Sequence, residues 1–80
     1  MELEGWEEKD NHLVKVFEFD NFVEAVDFVN KVVPFAEEAA HHPDLEVFSY
    51  NKVKISLTTH DKGKITQKDY DLAEKIEDVA

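Results

Sequence analysis

The sequence predicts an α+β domain in which helices cover one face of a four-stranded antiparallel sheet. Two stretches alternate apolar and polar residues with the period of a strand, and a shorter strand candidate adjoins each of them. Two other stretches repeat apolar residues every three or four positions, as amphipathic helices do. The 80 residues contain no repeat, linker or low-complexity tract. Residues 1–80 are therefore predicted to form a single domain with the order ββαββα.

The N-terminal part of the chain is predicted to form a hairpin. From His12 to Phe19 apolar and charged side chains alternate, which is typical of a half-buried strand. Gly5 to Lys9 is a shorter strand candidate, and Asp10-Asn11 favours a tight turn between the two. His12 is expected to be a plain surface residue at the start of the second strand.

A long helix is predicted from Asn21 onwards. Asn21 and Glu24 have the spacing of a capping box, with Asp20 as the alternative cap. Pro34 removes one backbone hydrogen bond, so a kink near residues 30–33 or a break into two helices is expected, and the continuing apolar pattern favours the kink. Pro43 is expected to end the helix, because a residue before proline prefers extended backbone. The predicted apolar stripe comprises Phe22, Val26, Val29, Val33, Ala36 and Ala40.

Strand-forming residues dominate the next segment. Residues 47–50 and 53–60 are predicted as strands joined through Asn51-Lys52, giving a second hairpin. After a loop at residues 61–64, Thr66 and Asp69 have capping-box spacing for a final helix. Two hairpins and two amphipathic helices pack best as a sheet with the helices on one face.

Charge and composition argue against several classes of function. The net charge of −10 would repel a nucleic-acid backbone, so direct nucleic-acid binding is not expected. The absence of cysteine rules out disulfides, thiol nucleophiles and cysteine-based zinc sites. No segment approaches the roughly 18 apolar residues of a membrane span, and Met1 to Glu4 lacks the basic and apolar blocks of a signal peptide. A cytoplasmic protein without a membrane partner is expected.

Histidine is the side chain best suited to carry chemistry here. Three of the four histidines, His41, His42 and His60, lie at the ends of predicted elements. An unperturbed pKa of about 6.5 lets histidine give and take a proton near neutral pH, so a pair can serve as acid and base in a dehydration. Two alternatives stay open. One histidine of the adjacent pair could interact with the helix C-terminus, or all three could bind zinc, although adjacent residues rarely point at one ion.

A spaced set of residues runs through the second half of the chain. An acidic residue is followed by three spacers, His-His-Pro, six spacers, Tyr, nine spacers, His, eight spacers and Asp. The residues are Glu37, His41, His42, Pro43, Tyr50, His60 and Asp69. This pattern resembles the signature of the pterin-4a-carbinolamine dehydratase family. Trp6 and the segment 17–22 also resemble family positions, so the similarity covers nearly the whole chain.

The resemblance implies the loss of water from 4a-hydroxytetrahydropterin to give quinonoid dihydropterin. This step recycles tetrahydrobiopterin after an aromatic amino-acid hydroxylase has used it. The resemblance makes His41 and His60 the acid and base groups, and gives His42 the task of binding and orienting the pterin. The other substrate-binding candidates are Glu37, Trp6, Pro43 and Asp69. No metal or organic cofactor is implied.

The roles of four of these residues are specified further, and three of the four have an alternative role. Glu37, one helical turn before His41, is expected either to fix the tautomer of that ring or to be a solvated helix charge. Pro43 shapes the turn that presents the histidine pair. Trp6 either packs against the flat heterocycle or belongs to the core, as a sole tryptophan more often does. Asp69 also fits the capping box, and capping is the favoured role.

The chain also departs from the family pattern. It starts too late to contain the usual helix before the tryptophan position, so a short form is expected. Pro34 interrupts the helix that forms the family's tetramer contact, so a homo-tetramer and a homo-dimer paired through edge strands both stay open. The alternative functions are a protein-binding role, as a dimerisation cofactor of a homeodomain transcription factor, and a role with a molybdopterin-related ligand.

Overall fold

The computed structural model describes residues 4–80 and has the predicted order ββαββα. Met1 to Leu3, most of the segment on which the signal-peptide argument rests, lie outside the described residues. The elements are β1 (Glu7–Lys9), β2 (His12–Glu18), α1 (Phe22–Ala39), β3 (Asp44–Phe48), β4 (Lys52–Leu57) and α2 (Gln67–Val79). The strands form one antiparallel sheet in the order β1-β2-β4-β3. The predicted fold class is therefore confirmed.

The two hairpins close through residues with left-handed backbone. In the first turn, Asp10 and Asn11 have φ values of 51° and 64°. Two consecutive positive φ values suit the twist of a two-residue hairpin, and Asp and Asn tolerate them well. The second turn was predicted wrongly, because it spans residues 49–51 and β3 begins earlier than expected, at Asp44. Asn51 is held there by the end of β2, since its backbone oxygen accepts from the Phe19 amide at 2.8 Å.

The core lies between one face of the sheet and the two helices. Alternate residues of β2 and β4 point into it, and the register pairs Leu13 with Leu57 and Phe17 with Val53. Residues between them, such as Val16 and Lys54, are exposed on the opposite face. The helices contribute Ala25, Phe28, Val32, Leu72, Ala73 and Ile76 to the same buried cluster. Both helices therefore cover one face, as predicted.

α1 is one continuous helix through Pro34, so the expected alternative of two helices is wrong. Asn21 caps its start, because its side-chain oxygen accepts from the Glu24 amide at 2.8 Å. Pro34 and Asn30 are both exposed, so water can reach the Asn30 carbonyl that the proline leaves without a donor.

The predicted apolar stripe of α1 is rotated from the one that the structure buries. The buried residues are Ala25, Phe28, Val32 and Ala36, whereas Phe22 is 55% and Val33 46% exposed. Apolar residues occur in adjacent pairs along the helix, so two neighbouring rows of apolar side chains on the helix surface repeat with the same helical period. The sequence pattern alone does not determine which row faces the sheet.

No helix within residues 4–80 is both long enough and apolar enough to cross a lipid bilayer.

Candidate active site

The histidine pair follows a sharp reversal at the end of α1. Ala40 adopts a left-handed conformation with φ 51° and ψ 39°. The His41 amide donates to the Ala36 carbonyl at 3.1 Å, which closes the last turn. Because the chain leaves helical geometry at Ala40, the next two side chains do not continue the helical register. His41 and His42 consequently contact different carboxylates.

His41 contacts the start of α2. Its Nε2 lies 2.6 Å from Oδ1 of Asp69. The Asp69 side chain is fully buried and that of His41 is 11% exposed. Since a carboxylate at this distance accepts a hydrogen bond, the proton of a neutral His41 lies on Nε2 and its Nδ1 is left with a free lone pair.

Asp69 is held in turn by two threonines. Its Oδ2 accepts from the Thr59 hydroxyl at 2.9 Å and from the Thr66 amide at 2.8 Å. The two threonine hydroxyls lie 2.6 Å apart. The capping box of α2 is present, so Asp69 both caps the helix and contacts His41. Both Asp69 oxygens have partners, which is the condition for burying a carboxylate at low cost.

His42 contacts Glu37. Its Nε2 lies 2.5 Å from Oε2 of Glu37, and the two side chains are 64% and 67% exposed. The alternative in which Glu37 contacts His41 is therefore wrong, and the exposed Glu37 side chain pairs with His42 instead. The left-handed Ala40 turns His41 towards α2 and leaves His42 facing back along α1.

His60 begins a tight turn after β4. The strand ends at Leu57, three residues earlier than predicted, and Thr59 then forms an isolated bridge with Lys64. The amides of Lys62 and Gly63 donate to the Thr59 carbonyl at 3.0 and 2.9 Å. This turn leaves the His60 side chain exposed at the same end of the sheet as the start of β3.

All three predicted histidines line one cavity of about 370 Å³, named here the histidine cavity. This volume falls within the range of about 300–1,000 Å³ that is typical of small-molecule pockets. Its lining comprises Ala40, His41, His42, Pro43, Asp44, Thr59, His60, Asp61 and Lys68. Within residues 4–80, no three His, Asp or Glu side chains are grouped so that they could hold a metal ion.

Two other residues of the predicted pattern lie away from the histidine cavity. The Trp6 Nε1 donates to Glu77 near the C-terminal end of α2, at 2.9 Å, and the ring packs edge-on against Phe17. Tyr50 is 64% exposed in the turn between β3 and β4, at the opposite end of the sheet from His60. In this single chain Trp6 packs at the margin of the core, and its role in substrate binding stays a prediction.

Known proteins of one family are similar to this chain over most of its length. The sequence profile of the family described as "Pterin 4 alpha carbinolamine dehydratase" matches residues 1–79. The chain belongs to this family. Two curated relatives, from Picosynechococcus sp. and Sulfolobus acidocaldarius, are both named "Putative pterin-4-alpha-carbinolamine dehydratase". The first is 60% identical over 68 residues, which cover 85% of this chain and 73% of the relative. The second is 52% identical over 75 residues, which cover 94% and 81%.

The fold of this pterin carbinolamine dehydratase family member is also similar to that of a solved structure. The crystal structure of a protein described as "transcriptional coactivator/pterin dehydratase" from Brucella melitensis superposes with a TM-score of 0.91 at 31% sequence identity. The superposition covers 98% of this chain and 84% of the Brucella chain.

Sequence reasoning missed several residues of the site in this dehydratase-family chain. Thr59, Lys68 and the aspartates Asp44 and Asp61 line the histidine cavity, and none was a candidate. Thr59 and Lys68 immediately precede the motif residues His60 and Asp69. Their position next to motif residues was therefore the one sequence feature that could have identified them. It does not show which neighbours of the motif line the cavity.

Proposed function

We propose that the protein removes water from a 4a-hydroxytetrahydropterin, with His41 and His60 as its acid and base groups. The observation that carries this proposal is the convergence of three histidines on one cavity, one of them hydrogen-bonded to a buried carboxylate. A dehydration needs one group to protonate the leaving hydroxyl and another to remove a proton from the neighbouring nitrogen. Membership of the pterin carbinolamine dehydratase family supports the choice of substrate class.

In the proposed mechanism His41 is the base. Asp69 keeps the ring proton on Nε2, so Nδ1 is free to accept the proton from the pterin N5. His60 then donates a proton to the 4a-hydroxyl. The C4a–O bond breaks to release water, and the electron pair of the former N5–H bond forms the C4a=N5 double bond. Base and acid exchange one proton each with the substrate, so the reaction is balanced.

His42 and Glu37 are proposed to orient the pterin. His42 lines the histidine cavity and is bonded through Nε2 to Glu37, which leaves Nδ1 for the ligand. Glu37 is not among the lining residues and acts through His42. Asp69 is buried with both oxygens engaged, so its effect on a ligand passes through His41.

The test is the rate of dehydration of enzymatically generated 4a-hydroxytetrahydropterin, followed by ultraviolet absorbance. General acid or base assistance contributes about 10²- to 10⁴-fold, so His41→Ala and His60→Ala should each lose at least about 10²-fold in kcat. The matched control is His12→Ala, because the His12 ring hydrogen-bonds to the Asp10 carbonyl and the residue does not line the histidine cavity. Folded wild-type protein that gives no acceleration would overturn the proposal.

A protein-binding role is the second candidate, because the name of the Brucella melitensis protein includes transcriptional coactivator. Such a role needs a surface and not an acid–base pair. His41→Ala distinguishes the two functions, since it should abolish dehydration and leave the binding of a partner protein unchanged.

A further inference from the structure

A second cavity adjoins the histidine cavity between the end of α1 and the first turns of α2. Its volume is about 220 Å³, and we name it the lysine cavity. It shares His41 and Lys68 with the histidine cavity. A ligand held by the histidines therefore has a neighbouring space beside the ring of His41. The lining residues are Ala39, His41, Lys68, Asp71, Leu72 and Lys75.

The lysine cavity is locally positive in an acidic protein. Two lysines and one aspartate line it, whereas two aspartates and one lysine line the histidine cavity. The aspartate, Asp71, already accepts a hydrogen bond from Gln67 at 2.9 Å. Within residues 4–80 neither Lys68 nor Lys75 forms an ion pair with a carboxylate. Both ammonium groups are therefore available to a ligand.

The two lysines lie on the same side of α2. They are seven residues apart, which places their Cα atoms roughly 10 Å apart along the helix axis. The Lys75 ammonium lies 5.9 Å from the centre of the Phe35 ring on α1, so its side chain reaches across the gap between the helices. The buried Leu72 lies between the two lysines in sequence and supplies an apolar lining.

We propose that the lysine cavity is a subsite for a phosphorylated side chain of the pterin, with Lys68 and Lys75 as the phosphate-binding groups. This inference rests on the proposed function, because the pterin ring must occupy the histidine cavity. A substituent on the ring then extends past His41 towards Lys75. A phosphate monoester carries close to two negative charges at neutral pH, which suits two ammonium groups.

The test measures binding of two ground-state ligands to the full chain by their pterin fluorescence. The ligands are 7,8-dihydroneopterin and its 3′-monophosphate, which differ only in the phosphate. The phosphorylated ligand should bind roughly 3- to 10-fold more tightly at low ionic strength, and salt should reduce this preference. Lys75→Gln should bring the ratio of the two Kd values close to one. Lys31→Gln removes an exposed helical lysine that lines neither cavity and should keep the wild-type ratio.

The outcomes separate this inference from the proposed function. Equal Kd values for the two ligands, with dehydration intact, would overturn the subsite and leave the dehydratase standing. A phosphate preference that survives in Lys75→Gln would place the phosphate elsewhere and also overturn the subsite. If neither ligand binds and no dehydration occurs, the proposed function fails and the subsite fails with it.

Discussion

The most consequential single side chain is Asp69, which has no exposed surface and three hydrogen-bonding neighbours. It joins the first turn of α2 to the end of α1 through His41, and to the segment after β4 through Thr59. The same carboxylate therefore caps α2 and, in a neutral His41, holds the ring proton on Nε2.

Asp69→Asn tests this dual role. An amide cannot accept on both sides, so its nitrogen must face a donor at either His41 or Thr66. We expect the free energy of unfolding to fall by about 1–3 kcal/mol and kcat to fall with little change in KM. Urea denaturation and steady-state kinetics measure the two effects. Asp78→Asn, which changes an exposed carboxylate on the same helix that lines neither cavity, is the control. Wild-type kcat in folded Asp69→Asn would contradict the positioning of His41 by the carboxylate.

Tyr70 offers a test at a residue outside the site. Its hydroxyl donates to Glu8 on β1 at 3.1 Å, and this hydrogen bond to a carboxylate, aided by partial desolvation, raises the pKa of Tyr70 above its usual value of 10.0. A raised pKa means that folding favours the neutral phenol. The contribution to stability is therefore present below the pKa of the unfolded chain and is lost as pH rises through the folded-state pKa.

Absorbance at 295 nm measures this pKa. In a Tyr50→Phe background Tyr70 is the remaining tyrosine. Adding Glu8→Ala should lower the pKa of Tyr70 towards its usual value, whereas Glu7→Ala, a neighbouring exposed carboxylate, should change it little. An unchanged titration in Glu8→Ala would show that the hydrogen bond does not control the phenol.

At the scale of the element, the end of α1 determines where the histidine pair points. Ala40 occupies the left-handed region, where a Cβ atom costs roughly 1–2 kcal/mol and where glycine is usual. Asn21 at the other end is a residue type that commonly caps helices, so the sequence predicts that cap. Alanine is not typical of a left-handed position, so the sequence does not predict the conformation of Ala40. The reversal at Ala40, which precedes the histidine pair, could therefore not be predicted.

Two glycine substitutions test the strain at this position. Ala40→Gly should raise the free energy of unfolding by about 0.5–1 kcal/mol, since the gain from relieved strain exceeds the added freedom of the unfolded chain. Ala39→Gly, within the last helical turn, should lower it by about 0.5–1 kcal/mol. Thermal or urea unfolding measures both. A loss of stability in Ala40→Gly would show that Ala40 is not left-handed in solution.

At the scale of the whole molecule, α1 leaves an apolar row that includes Phe22 and Val33 exposed to solvent in the single chain. An 80-residue domain buries only about 60% of the surface that its unfolded chain exposes, so association adds useful stability. Phe22 and Val33 lie on the predicted stripe but face away from the core, with 55% and 46% of their surfaces exposed. A homo-oligomer through this face is the prediction, with edge-strand pairing of β1 or β3 as the alternative.

Sedimentation equilibrium tests the assembly. The wild-type chain should sediment as a multiple of its 9.3 kDa mass. Val33→Glu places a charge in the apolar row and should yield the monomer, whereas Lys31→Glu, on an exposed part of the same helix, should leave the assembly intact. An unaltered oligomer in Val33→Glu would favour edge-strand pairing. A monomeric wild type would refute both modes.

The sequence by itself determined the order of the elements, the first turn, the N-terminal helix caps and the three candidate histidines. These features depend on residues close together in the chain, whose period and spacing can be read directly. The family signature could be recognised for the same reason, since its spacing is a property of the chain. The fold class followed because two hairpins and two amphipathic helices have few ways to bury their apolar faces.

Only the tertiary structure decided which row of α1 is buried and which carboxylate each histidine contacts. The His41–Asp69 contact joins residues 28 positions apart, and Asn51 is fixed by Phe19 from 32 positions away. Such contacts arise when elements pack against one another, and neither period nor spacing encodes them. The placement of Trp6 beside Glu77, and of Lys68 and Lys75 around one cavity, has the same origin. Sequence spacing identified the reactive groups, and packing set their orientation.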